Sequence, residues 1–189
     1  MSTILRSERL VLRPFSDQDL DLVHDLHTDP LVVKALYQGA TPPLEDSRSR
    51  LAGFTADWRD HGFGFFAVHE RKEDGDAGDF VGRSGLRYLP GATDLELGNV
   101  FYERASGLGY APEAGRAVIR FALMTLCAPK VVGVVRPENA RAARTTEKMG
   151  FRYIDDRMSH GRMMRYYEVS PESLRQAEAD YQMAAATAR

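Results

Sequence analysis

The chain predicts a mixed α/β (α+β) fold with a central sheet of about six or seven strands and flanking helices. Three observations carry that prediction. Residues 95–135 read as strand, glycine-rich turn, long apolar helix and strand, an order that requires a right-handed parallel crossover. The other strand patterns include a hairpin around His160-Gly161, and the charged tract Arg71 to Asp79 reads as a hairpin turn or a mobile loop, so antiparallel neighbours are expected beside the parallel pair. The length of 189 residues fits one domain, 1–189, with 171–189 as a C-terminal helical tail.

Each element has a local signal. Arg9 to Phe15 alternates in strand fashion, ended by Pro14. Ser16 and Asp17 look like a cap before Leu20, Leu22, Val23 and Leu26, whose spacing suits one helical face, and Asp29-Pro30 closes that helix. A short segment, Leu31 to Tyr37, leads to the loop Gly39 to Pro43 and a second helix from about Leu44 to Asp60. Gly62 and Gly64 open a strand over Phe65 to His69, and Phe80 to Tyr88 and Leu95 to Tyr102 are the next two. Ala111 to Ala128 carries an apolar arc wide enough for a buried helix, with Cys127 on it. Val131 to Val135 is a continuous apolar run suited to a strand covered on both faces. Asn139 caps a helix to Met149, closed by Gly150. Phe151 to Met158 and Met163 to Val169 form the last hairpin, and Pro171 begins the terminal helix.

Composition removes several classes of function. A hydrophobic fraction of 43% and a charged fraction of 28% are ordinary for a globular protein. No apolar run reaches the roughly 18 residues that span a bilayer, and charges interrupt Met1 to Arg13 where a secretory signal needs an apolar stretch. A cytoplasmic protein is expected. The net charge of −2 gives no basic excess for nucleic acid or membrane. A single cysteine forms no internal disulfide, and the five histidines lack ligand spacing, so no metal is expected. His24 and His27 read as helix-surface residues.

The chemistry is concentrated in Arg104 to Glu113, Arg-Ala-Ser-Gly-Leu-Gly-Tyr-Ala-Pro-Glu. Gly107 and Gly109 allow backbone angles barred to other residues, so successive N–H groups converge on one point. The following helix presents its unpaired N–H groups and positive dipole end to the same place. Pro112 fits a first-turn position, and Glu113 favours helix initiation. The turn reads as a pyrophosphate site. It is not a P-loop, because no lysine follows the glycines, and Pro112 stands where the dinucleotide fingerprint needs a third glycine.

What remains, Arg104-x-x-Gly107-x-Gly109, resembles the Arg/Gln-x-x-Gly-x-Gly/Ala signature of the GNAT superfamily of acyl-CoA-dependent N-acyltransferases. Four further stretches resemble its RimJ/RimL-like branch: Ser7 to Pro14, Glu96-Leu97-Gly98 leading into Gly109-Tyr110-Ala111, Pro137-Glu138-Asn139, and Glu147 to Phe151. The resemblance covers roughly Glu8 to Ser170. It implies a mostly antiparallel sheet with a splay between two parallel central strands, in which the pantetheine arm of acetyl-CoA pairs with strand backbone near Val100 and Phe101. The pyrophosphate would rest on Arg104, Gly107, Leu108, Gly109, Tyr110 and Ala111. Asn139 matches a cofactor-holding position, and Arg144 either reaches a phosphate or is a solvated helix arginine. Gly98 reads as a bulge or close approach in the strand, or as relief of core crowding.

An N-acyltransferase of this kind needs no enzyme nucleophile, since the acceptor amine attacks the thioester directly; Cys127 therefore reads as core packing. It needs a base for the protonated amine and donors for the carbonyl oxygen. Glu96 is the candidate base, against a reading as a solvated or salt-bridged strand glutamate. The backbone N–H near Val100 is the carbonyl donor that the resemblance implies. The tyrosine that many relatives use as acid is Thr146 here, and the serine of the branch is Ala142; Tyr110, Tyr166 and Tyr167 are the substitutes to consider, against service in the core or rim. Trp58, Tyr37, Phe54 and Phe63 line an acceptor pocket or pack the core. The expected function is acetyl transfer from acetyl-CoA to a primary amine, either a protein N-terminus or a small molecule. The competing readings are a non-catalytic acyl-CoA-binding module and a nucleotide-binding enzyme. Dimerisation through strand edges or the terminal helix is compatible with the sequence.

Overall fold

The computed structural model describes residues 3–159 and 161–187, and of 180–182 and 184–187 only the backbone. Eight strands form one mostly antiparallel sheet, with six helices among the described residues. The strands are β1 (Leu5–Arg6), β2 (Leu10–Pro14), β3 (Phe65–Arg71), β4 (Ala77–Tyr88), β5 (Leu95–Phe101), β6 (Val131–Val135), β7 (Arg152–Ser159) and β8 (Arg162–Val169). Their order is β1-β2-β3-β4-β5-β6-β8-β7. The parallel pair is β5 with β6, in register at Leu95↔Val131 and Glu96↔Val132. The eighth strand is β1, two residues long and without a period that a sequence could display.

The helices are α1 (Leu20–Thr28), α2 (Pro30–Tyr37), α3 (Leu44–His61), α4 (Tyr110–Arg120), α5 (Ala140–Lys148) and α6 (Pro171–Thr187). Asp29-Pro30 both ends α1 and starts α2: the Asp29 carboxylate accepts from the N–H groups of Leu31 and Val32, and Pro30 takes the first helical position. The segment Leu31 to Tyr37 is therefore a helix of its own. Asp19, not Ser16 or Asp17, precedes α1; its carboxylate accepts two bonds of 2.7 Å from Arg13 and one from the Ser16 N–H.

The predicted helix over Ala111 to Ala128 is shorter than expected. Regular α4 gives way to a π-turn over Phe121–Thr125, where the Leu126 N–H reaches back five residues to the Phe121 carbonyl. Cys127 lies beyond the end of this turn, after the C-cap Leu126, and is exposed in a left-handed conformation with φ of +54°. It is not a core residue.

The chain divides into two compact units, Met1–Arg87 with Gly98–Ala117, and Tyr88–Leu97 with Val118–Arg189. The core of the first contains Phe15, Val23, Leu26, Leu51, Phe54, Phe65 and Phe80, with rings packed at centroid distances such as 4.9 Å for Phe54 and Phe65. In the second, β6 is covered as its apolar run required, with Val131 and Val132 fully buried, and pairs antiparallel with β8. The last hairpin forms as expected, although His160 in its turn lies outside the described residues.

Candidate active site

The glycine turn takes the backbone conformation that its sequence requires. Gly107 has φ of +86° and Gly109 φ of +82°, both in the left-handed region, and α4 starts at the next residue. A β-carbon built on Gly107 would meet nothing within 4 Å, so space is open beside that backbone. One built on Gly109 would come 3.3 Å from the Arg9 guanidinium. A turn with two left-handed glycines, open on one side and leading into a helix N-terminus, fits a pyrophosphate.

Side chains around the turn hold it rather than point from it. Arg104 turns back, donating from Nη2 to the Phe80 carbonyl at 2.8 Å and stacking over the Tyr102 ring. Arg9 donates to the Leu108 carbonyl at 2.9 Å and lies over the Tyr110 ring. Glu113 receives Ser7 Oγ at 2.7 Å, the Arg9 N–H at 2.8 Å and the Arg9 guanidinium at 2.6 Å. Burial disfavours its charge, but these bonds outweigh that and hold its carboxyl below the ordinary glutamate range. Glu113 thus does more than start a helix: it ties α4 to the turn between β1 and β2.

Of the three tyrosines considered as proton donors, Tyr110 donates to Glu70 at 2.9 Å, a bond that with burial raises its pKa. Tyr166 and Tyr167 are buried core residues, and burial likewise raises Tyr166, whose hydroxyl donates to Asp94. Thr146 is buried and Ala142 half-buried, both on α5. Asn139 precedes α5, its Oδ1 accepting from the Ala142 N–H at 3.0 Å, so the cap occupies the oxygen and not the amide NH₂; Arg144 is exposed on that helix.

Glu96 is 3% exposed, inside the parallel pair, so the solvated reading does not hold. Further along β5, Val100 and Phe101 are half-buried, and Val100 packs on the aromatic core. Gly98 relieves crowding: a β-carbon there would sit 2.9 Å from the Phe65 ring. Gly82 carried no sequence signal, yet a β-carbon there would lie 2.4 Å from the Val100 carbonyl, so this glycine lets β4 approach β5 where the pantetheine arm is expected.

Two residues read as surface histidines behave otherwise. His24 bonds Ser47, and His27 is fully buried, with Nδ1 against the Tyr37 hydroxyl and Nε2 3.4 Å from Arg83 Nε. Burial, reinforced by Arg83 and Arg50, pushes the His27 pKa down to about 3. Trp58 is half-buried and donates to the Phe65 carbonyl at 2.8 Å, and Phe54 and Phe63 are buried. Among the described residues no group of three His, Cys, Asp or Glu could hold a metal ion, and no helix is long and apolar enough to cross a membrane. Arg83 itself carried no sequence signal beyond a charge between Gly82 and Gly85 in the strand.

A mixed sheet with one parallel pair, and a doubly left-handed glycine turn opening the helix between those strands, is the frame of an acyltransferase. The acetyltransferase (GNAT) domain, of RimJ/RimL type, matches residues 9–152, and the chain belongs to that family of N-acetyltransferases. An uncharacterized N-acetyltransferase of Bacillus subtilis, YnaD, is 26% identical over 148 residues, 78% of this chain and 82% of the relative. An acetyltransferase from Agrobacterium tumefaciens is similar in structure, with a TM-score of 0.73 and 28% identity over 88% of this chain and 94% of the other. RimJ of Mycobacterium smegmatis, in complex with CoA-disulfide, shares the fold at a TM-score of 0.71 and 20% identity, over 98% of this chain and 94% of the other.

Proposed function

We propose that the protein transfers the acetyl group of acetyl-CoA to a primary amine, a protein N-terminus or a small molecule, by direct attack in a ternary complex. Acetyl-CoA supplies an activated thioester. The free amine nitrogen attacks the thioester carbon, the C–N bond forms, the C–S bond breaks and its electron pair leaves with sulfur, while the proton shed by nitrogen goes to a base. Glu96, directly or through a water, is the proposed base, and its place inside the parallel pair, on the strand along which the thioester arm is proposed to lie, supports the role.

The pyrophosphate is proposed to lie on the backbone from Arg104 through Gly107, Leu108, Gly109 and Tyr110 to Ala111, the pantetheine arm to pair with β5 near Val100 and Phe101, and Asn139 and Arg144 to assist in holding the cofactor. The observation that carries this reading is the pair of positive φ angles at Gly107 and Gly109 immediately before α4, in a chain of this family. Calorimetric titration with acetyl-CoA, coenzyme A and ATP, beside a Gly109→Val variant, tests it. Micromolar acetyl-CoA binding lost in the variant is the expected result; preference for ATP, or no binding, would refute it.

A further inference from the structure

Arg83 lies on the inner face of β4, 7% exposed, in a site made almost wholly of aromatic rings and other cations. Its guanidinium stacks on Phe65 at 4.3 Å and Phe54 at 5.4 Å. Among the described residues its one polar bond is the long contact from Nε to His27 Nε2. Because a guanidinium can only donate, His27 Nε2 must accept, which places the imidazole proton on Nδ1, facing Tyr37. The histidine is thus held neutral and offers no negative charge.

A buried charge is normally met by an opposite one. Here burial first, then repulsion by Arg50 and Arg87, lowers the Arg83 pKa to about 9, and the one opposing influence comes from the Tyr37 hydroxyl. The Nε of Arg50 is itself buried without a hydrogen-bond partner, its guanidinium over the Tyr37 ring. Ring stacking compensates a desolvated cation only in part. The tip of Arg83 reaches β5: Nη1 would stand 3.9 Å from a β-carbon on Gly98, two residues before Val100, and the residue keeps 7% of its surface exposed.

The geometry points to Arg83 as the anion-recognising residue of the acceptor site, binding the carboxylate of a small amine that also carries a carboxylate, an amino acid in chemical class. This rests on the acetyl-CoA reading above, which puts the thioester arm along β5 near Val100. A bidentate guanidinium–carboxylate contact orients the amine while satisfying the buried cation. Polycationic acceptors such as polyamines are disfavoured by the same charge.

The test compares coenzyme A release with free amino acids against their methyl esters, and with peptides beginning in acidic against neutral residues, for the wild type, Arg83→Met and Arg83→Lys. Ester formation alters the amine pKa, but that change is the same for every variant and cancels in the ratio. The expected result is at least a tenfold kcat/KM preference for the free acid, lost in Arg83→Met mainly through KM and partly kept in Arg83→Lys. Arg83→Met should also keep or raise Tm, because it removes an uncompensated charge, whereas a merely structural arginine would lower it. An Arg83-dependent preference confined to acidic peptides would overturn the small-molecule assignment. Equal use of acid and ester by the wild type, or a preference that survives Arg83→Met, would overturn the anion role. If no amine turns over, calorimetry of the same amino acids against wild type saturated with coenzyme A decides: Arg83-dependent binding supports the proposal and its absence overturns it. Acetyl-CoA affinity, measured in parallel, keeps failure of the cofactor reading separate.

Discussion

Arg9 and Glu113 are joined by a backbone bond, a guanidinium bond and an ion pair of 2.6 Å, and the same arginine holds the carbonyl of Leu108 between the two left-handed glycines. The glycine turn is thereby braced from the turn between β1 and β2. Arg9→Met should lower acetyl-CoA affinity about tenfold, equivalent to ~1.4 kcal/mol, measured by calorimetry. Glu113→Gln should destabilise the fold by about 1–2 kcal/mol, since a neutral amide replaces the charged acceptor of bonds from Ser7 and Arg9, measured by urea unfolding at pH 7. The Glu113 carboxyl titrates lower in the folded state, so its contribution is complete above the unfolded glutamate pKa and is lost as pH falls through the folded value. The Gln variant should lack that loss.

His27 predicts a second pH effect at a different place. Its folded pKa is about 3 against an ordinary 6.5, so below pH 6.5 the unfolded chain takes up a proton that the folded one refuses. Stability should therefore fall as pH drops from 6.5 towards 3. Urea midpoints in that window should flatten in His27→Gln, which keeps an acceptor for Arg83.

Glycines separate packing from conformation. Gly82→Ala and Gly85→Ala would place a methyl 2.4 Å from the Val100 carbonyl and 2.3 Å from the Phe65 Cα, so each should cost about 1–3 kcal/mol or more. Gly53→Ala, inside α3 with nothing within 4 Å, should stabilise by about 0.5–1 kcal/mol. Thermal unfolding of the three variants gives the comparison directly.

Glu96→Gln should reduce kcat several-fold or more at neutral pH and steepen its rise with pH, because deprotonation of the amine would then depend on solvent. A pH–rate profile superimposable on the wild type would remove Glu96 from the mechanism.

Much of the fold was legible in the sequence because local patterns carried it. The apolar run Val131 to Val135, the Asn139 cap and the two glycines before α4 each have a local physical cause, and each takes the conformation that the cause demands. The features that stayed hidden depend on long-range contacts. Nothing near Arg83 announces that its guanidinium meets the rings of α3 and β3, nothing near His27 announces full burial, and the apolar arc before Cys127 conceals the π-turn and the helix end at Leu126 that leave it exposed beyond the helix. The roles of Glu113 and Tyr110 likewise required knowing that Ser7, Arg9 and Glu70 stand opposite them.

The bond from Ser7 to Glu113 closes a loop of 106 residues. Closing so long a loop costs chain entropy that is recovered only after the intervening strands have paired. A refolding chain should therefore regain its circular-dichroism signal before it can retain a coenzyme A ligand, the glycine turn being finished by the short link between β1 and β2 at one of the last steps of assembly.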